Sequence, residues 1–111
     1  MKLSYEDHEA ITVLKVSGDL TADQVDAFRR SCQDRFEAGI QHVVLNMEHM
    51  SFIDSAGLEA LLWILETAAE HGGQLRLVRP DPIVDKILNI SRLDKRFSIH
   101  DTIESAAKSL R

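Results

Sequence analysis

The feature that most limits what this chain can fold into is its alternation between two hydrophobic periods. Short runs of the strand type, "LSYE", "ITVLKVSG", "HVVLN", "QLRLV" and "FSIH", are separated by segments whose apolar residues recur at helical spacing. The first two runs are joined across Asp7-His8-Glu9, which predicts a hairpin. After it, strands and helices take turns, giving the order β-β-α-β-α-β-α-β-α. That order predicts an α/β domain over residues 1–111, with a mixed, mostly parallel sheet, an N-terminal β-hairpin and about four helices.

The helix boundaries have local signals. Thr21 followed by Gln24 reads as a capping box, and Gly39 stands where the first helix should stop. Between them Val25, Phe28, Cys32 and Phe36 form a core-facing stripe. The second helix is expected from Ala56 to His71, stopped by Gly72-Gly73. Asp81-Pro82 opens a third, with Ile83, Val84, Ile87 and Leu88 inward. Asp101 with Glu104 repeats the capping pattern for a fourth.

Composition narrows the function classes. A chain of 111 residues can bury one ordinary core. Its net charge of −5, without a basic block, argues against nucleic acid and anionic membranes as partners. A lone cysteine, Cys32, excludes an intrachain disulfide and favours a reducing compartment. The opening "MKLSYEDHEA" has no apolar signal core, and the longest apolar run, "ALLWIL", is too short to span a bilayer. The expected location is the cytoplasm. No histidine pair with a third ligand nearby shows metal-ligand spacing, so no metal or cofactor is expected.

One stretch asks for a functional reading: "MSFIDSAGLEAL", residues 50–61. It leaves the carboxyl end of "HVVLN", where loops of α/β sheets carry sites. A serine nucleophile there would want the G-x-S-x-G elbow, but the run is Ile53-Asp54-Ser55-Ala56-Gly57. None of His8, His42, His49, His71 and His100 is placed by the sequence to serve as its base. No catalytic residue is assigned. Helix capping by Asp54 or Ser55 contributes about 1 kcal/mol but needs only one of them. Ala56-Gly57 leaves the first turn bare, and a bare helix N-terminus favours an anion. A phosphate on Ser55 would bring about −1.5 to −2 charges to that position.

At 100° per residue, Leu58, Leu61, Leu62, Leu65 and Ala69 make the expected core stripe of the second helix. Trp63 then points outward, on one line with Ala56, Glu59, Glu66 and Glu70. Either another element covers this only tryptophan or it is a partner contact.

The stretch "HVVLNMEHMSFIDSAGLEAL", with "GDLT", "GGQLRLV" and "ISRLDKRFSIHDTIESA", resembles STAS domains, the sulphate transporter and anti-sigma factor antagonist family. The likeness runs over essentially the whole chain and is greatest to stand-alone bacterial anti-sigma factor antagonists. It implies a partner switch. In such proteins the serine after the aspartate is phosphorylated by a serine kinase of the histidine-kinase-like ATPase type, which doubles as the anti-sigma factor. The unphosphorylated antagonist binds that kinase, and a serine phosphatase restores it. By this resemblance Ser55 is the phosphate acceptor; together with the outward line of the second helix, the expected partner surface is Asp54, Ser55, Ala56, Gly57, Glu59 and Trp63. Ala56 departs from the many members with a second hydroxyl there, leaving Ser55 as the one acceptor. The same family includes small subunits of transporter ATPases and of larger signalling assemblies, in which Ser55 would be only a cap.

Overall fold

The computed structural model describes residues 1–111. Strands β1 (Lys2–His8), β2 (Ile11–Leu20), β3 (His42–Ile53), β4 (Leu75–Val78) and β5 (Ser98–His100) form one sheet in sequence order. β1 and β2 pair antiparallel through a two-residue turn, and every later pair is parallel. Parallel neighbours need crossovers, which helices α1 (Ala22–Glu37), α2 (Ser55–Glu70) and α3 (Pro82–Ile90) supply. A 3₁₀ turn at Leu93–Lys95 leads into β5, and α4 (Ile103–Lys108) closes the chain. The expected α/β fold, with its N-terminal hairpin and four helices, is the one the chain adopts.

Side-chain alternation divides the core between the two sheet faces. Leu14 and Val16 of β2, Val43, Leu45 and Met47 of β3, and Leu75 and Leu77 of β4 meet α1, α2 and α3 in the main core. On the other face Val44, Val78 and Ala106 of the short α4 form a small cluster, with half-buried Ile11, Val13 and Leu110 packed against it. The α1 stripe of Val25, Phe28, Cys32 and Phe36 is buried as its spacing predicts. Burial pushes the Cys32 thiol up to about 12, so it stays an unreactive core group.

Several expected details differ. Thr21 stands at the N-cap of α1 but makes no capping bond; its hydroxyl donates to Asp23 Oδ1 at 3.2 Å. The cap of α4 is Thr102, which accepts from the Ser105 N–H at 3.0 Å, not Asp101. Ile83 lies outward, 57% exposed, because Val84 and Leu88 already fill the one buried line of α3. The largest difference is β3. It does not end near Asn46 but runs to Ile53, beyond its last pairing with β4 at Asn46↔Val78. Over that extension it pairs only with β2, with register shifts between Lys15 and Ser17 and between Gly18 and Asp19. The shifts let β3 carry extra residues, and their twist delivers Asp54 to the carboxyl end of β2.

Candidate functional site

The site forms where β2 and β3 end together and α1 and α2 begin. Asp54 is the N-cap of α2, in extended conformation, and its Oδ1 accepts from the Gly57 N–H at 2.9 Å. Its other oxygen, Oδ2, accepts from the Ala22 N–H at 3.0 Å. Ala22 is the first residue of α1, so one carboxylate caps two helices. Two positive helix ends converge on it, which is the favoured electrostatics for an acid at this position. Asp54 takes the first amide of α1 from 32 residues away, while the Gln24 N–H, which a Thr21 side-chain cap would have served, bonds the Thr21 carbonyl at 2.8 Å.

Gly57 is buried against the end of β2. A Cβ there would come within 2.3 Å of the Leu20 carbonyl oxygen and 2.6 Å of Ile53 Cγ1. The glycine therefore lets α2 seat on β2, and its N–H is already taken by Asp54. The first turn of α2 is less bare than the sequence suggests, and Gly57 has no face to offer a partner. Ser55 is exposed at the first helical position and is relieved of capping by Asp54. Ala56 is half-buried and Glu59 exposed.

Trp63 corrects the helical-wheel reading. The fully buried line of α2 is Ala60, Leu61, Ile64 and Ala68, with Thr67 beside it, not the line through Leu58, Leu62, Leu65 and Ala69. Ala69 is exposed, and the other three leucines apart from Leu61 are half-buried. The helix is apolar around most of its circumference, so periodicity alone did not select its inner face. The seating of Gly57 did. The rotation turns Trp63 towards α1, where it is half-buried against the core, with the Arg29 guanidinium carbon 5.5 Å from its ring centroid. Part of the ring remains at the surface.

No histidine is bonded to Ser55. His8 pairs with Glu6, His42 accepts from the Gln74 N–H, His71 bonds the Thr67 carbonyl, and His100 lies between Ser98 and Ser105. His49 sits exposed on β3. Phe52, which no sequence motif singles out, is 43% exposed two residues before Asp54. Its signal was faint, because the register shifts in β3 break the alternation that marks inward and outward residues. No helix is long and apolar enough to cross a membrane.

The signature of the STAS domain matches residues 2–106. An anti-sigma F factor antagonist of Paenibacillus polymyxa is 25% identical over 99% of this chain and 95% of its own length. A solved structure of a proposed anti-sigma factor antagonist from Thermotoga maritima superposes with a TM-score of 0.90 at 25% identity, covering 98% of this chain and 94% of that one. The antagonist SpoIIAA in its unphosphorylated form shares the fold at a TM-score of 0.83 and 23% identity, over 97% of this chain and 95% of its own. The same Bacillus protein in its phosphorylated form gives 0.75 at 23% identity, over 99% and 100%. With its fold, its Asp-Ser junction and a family signature over nearly its full length in agreement, this chain belongs to the STAS domain family.

Proposed function

We propose that this protein is an anti-sigma factor antagonist-like switch, controlled by reversible phosphorylation of Ser55. Unphosphorylated, it binds a serine kinase of the histidine-kinase-like ATPase type that also acts as an anti-sigma factor. Phosphorylation releases it, and a serine phosphatase resets it. The protein works in the cytoplasm as a binding partner, not an enzyme, without a cofactor and without touching nucleic acid or membrane itself.

The observation that carries this reading is the division of labour at the α2 N-terminus. Asp54 does the capping, and the exposed Ser55 hydroxyl is left for another use. The reading in which Ser55 is merely a cap, as in a transporter subunit, loses its motive on the same ground. In the proposed contact Ser55 is central, flanked by Ala56, Glu59 and the surface edge of Trp63, while Asp54 and Gly57 fix the geometry from behind. A phosphate would add about −1.5 to −2 charges beside a carboxylate that already holds the Gly57 N–H. Like-charge repulsion from Asp54 would push it outward, into the partner's space.

Incubation with the cognate kinase and ATP, followed by mass spectrometry, tests the assignment. Label is expected on Ser55, lost in Ser55→Ala, with kinase binding by Ser55→Ala retained. Ser55→Asp should bind more weakly, since even one carboxylate adds charge there. Label on Ser51 or Thr67 would overturn the site, and undiminished kinase binding by the phosphorylated protein would overturn the switch.

A further inference from the structure

β1 is a free edge of the sheet, with β2 on one side and no strand on the other. Its residues are exposed from Lys2 to His8 except for half-buried Leu3. It contains no proline, and its pairing with β2 runs without a bulge from Lys2↔Ser17 to His8↔Ile11. Two common devices that stop a sheet edge from pairing are therefore missing. Tyr5, 54% exposed, lies on this edge, with the Arg35 guanidinium 3.9 Å from its ring centroid.

The backbone fixes which residues an added strand would meet. The two-residue turn makes His8–Ile11 a hydrogen-bonded pair, and the antiparallel pattern alternates from there. Lys2, Ser4, Glu6 and His8 spend their N–H and C=O groups on β2. Leu3, Tyr5 and Asp7 direct theirs outward. A second, antiparallel β1 must then pair Leu3, Tyr5 and Asp7 with one another. A register centred on Tyr5 would set Leu3 against Asp7, Ser4 against Glu6 and Lys2 against His8. A register centred on Ser4 sets Lys2 against Glu6 twice, Leu3 against Tyr5 twice, and Ser4 against itself. The second arrangement puts opposite charges together on the α4 face and an aliphatic-aromatic pair on the face of the main core.

We infer that the partner of this edge is a second copy of the chain, bound in the register centred on Ser4. The result is a symmetric dimer in which two five-stranded sheets become one. One strand pair buries less than the roughly 1,200 Å² of a standard interface, so the dimer is weak and forms with rising concentration. Neither Ser55 nor α2 takes part, and the proposal stands apart from the switch.

Sedimentation velocity of the full chain from about 10 μM to about 1 mM tests it. The weight-average sedimentation coefficient should rise across that range. Lys2→Glu and Glu6→Lys should each weaken dimerisation about tenfold, because two symmetric attractions become two repulsions. Both positions are exposed, so the fold tolerates either change. The double variant should recover the parent affinity, and an equimolar mixture of the two single variants should associate more tightly than either alone. A parent that stays monomeric throughout overturns the proposal. So does a dimer that ignores these charges, or a mixture no tighter than its components.

Discussion

The two ends of α2 are built alike in one respect and differently in another. At each end a glycine is pressed onto a backbone carbonyl of a neighbouring strand or loop. A Cβ on Gly57 would lie 2.3 Å from the Leu20 oxygen, and one on Gly73 would lie 1.7 Å from the Gln41 oxygen. The polar groups that fix the two ends are not alike. At the N-terminus the Asp54 carboxylate joins the first turns of two helices. At the C-terminus the main chain caps itself, through Gly72 N–H to the Ala69 carbonyl and Gly73 N–H to the Ala68 carbonyl. Beyond it the His42 imidazole accepts from the Gln74 N–H at 3.1 Å. The end that carries Ser55 is thus held by a charged tertiary contact, and the other by backbone geometry and one ring nitrogen. Charge added at Ser55 is expected to act on the first and leave the second untouched.

Filling either glycine should have the largest effect. At Gly73 the new methyl would meet Gln41 O, C and Cα at 1.7, 2.3 and 3.1 Å, all backbone atoms that cannot rotate away. Gly73→Ala should cost at least about 3 kcal/mol. At Gly57 one of the near atoms is the Ile53 side chain, which can shift, so Gly57→Ala should cost somewhat less, about 2–3 kcal/mol. Each kcal/mol corresponds to roughly 4 °C of melting temperature in a domain of this size. Melting curves of the two variants give the ranking. A parent-like Tm for either would show that α2 can lift off its strand ends freely.

The same contrast explains what the sequence could and could not reveal. The stripe of α1 was legible because polar residues frame it on both sides. The stripe of α2 was not, because Leu58, Leu62, Trp63 and Leu65 blur the apolar face, and a tertiary contact at Gly57 chose the rotation. The Asp54-Ser55 junction was visible as a pair of polar residues between a strand and a helix. That Asp54 also caps α1 was not visible, since a contact across 32 residues leaves no local pattern. The extension of β3 to Ile53 was hidden for a related reason: register shifts interrupt the alternation over Glu48–Phe52, where buried Met50 stands alone among exposed residues. Thr21 shows the opposite failure, a residue at the N-cap position the local signal names whose hydroxyl turns to Asp23 Oδ1 instead of capping.

Removing the shared cap should rank next. Asp54→Ala strips an acceptor from the Ala22 and Gly57 N–H groups together, at a cost of about 2 kcal/mol. Asp54→Asn keeps one carbonyl acceptor and should lose about half as much. Thr21→Ala, by contrast, removes no capping bond and should stay within about 0.5 kcal/mol of the parent. Amide hydrogen exchange separates the mechanism from a general loss of stability. In Asp54→Ala the first turns of both α1 and α2 should exchange faster, while the amides at Gly72 and Gly73 keep their protection. Faster exchange confined to α2 would mean that the Asp54–Ala22 contact does not hold α1.

The smallest effect belongs to the opposite end and depends on pH. The His42 pKa is lowered from its ordinary 6.5, first by burial and then by the nearby Arg76 guanidinium. A proton is therefore bound less readily in the folded chain than in the unfolded one. The contribution of His42 to stability is present above about pH 6.5 and is lost as the pH falls through the lowered folded value. Geometry gives the same sign, since Nδ1 must be unprotonated to accept the Gln74 N–H. An NMR titration of the His42 ring should show a midpoint below 6.5, with the Gln74 amide resonance moving in step. His42→Ala should remove a small part of the fall in Tm between neutral and mildly acidic pH, without changing exchange at Ala22 or Gly57. A His42 midpoint at or above 6.5 would reverse the sign and show that the imidazole is not held as an acceptor. An acid-induced rise in exchange at Ala22 as large as that at Gln74, over the same pH range, would show that the two ends of α2 do not respond separately.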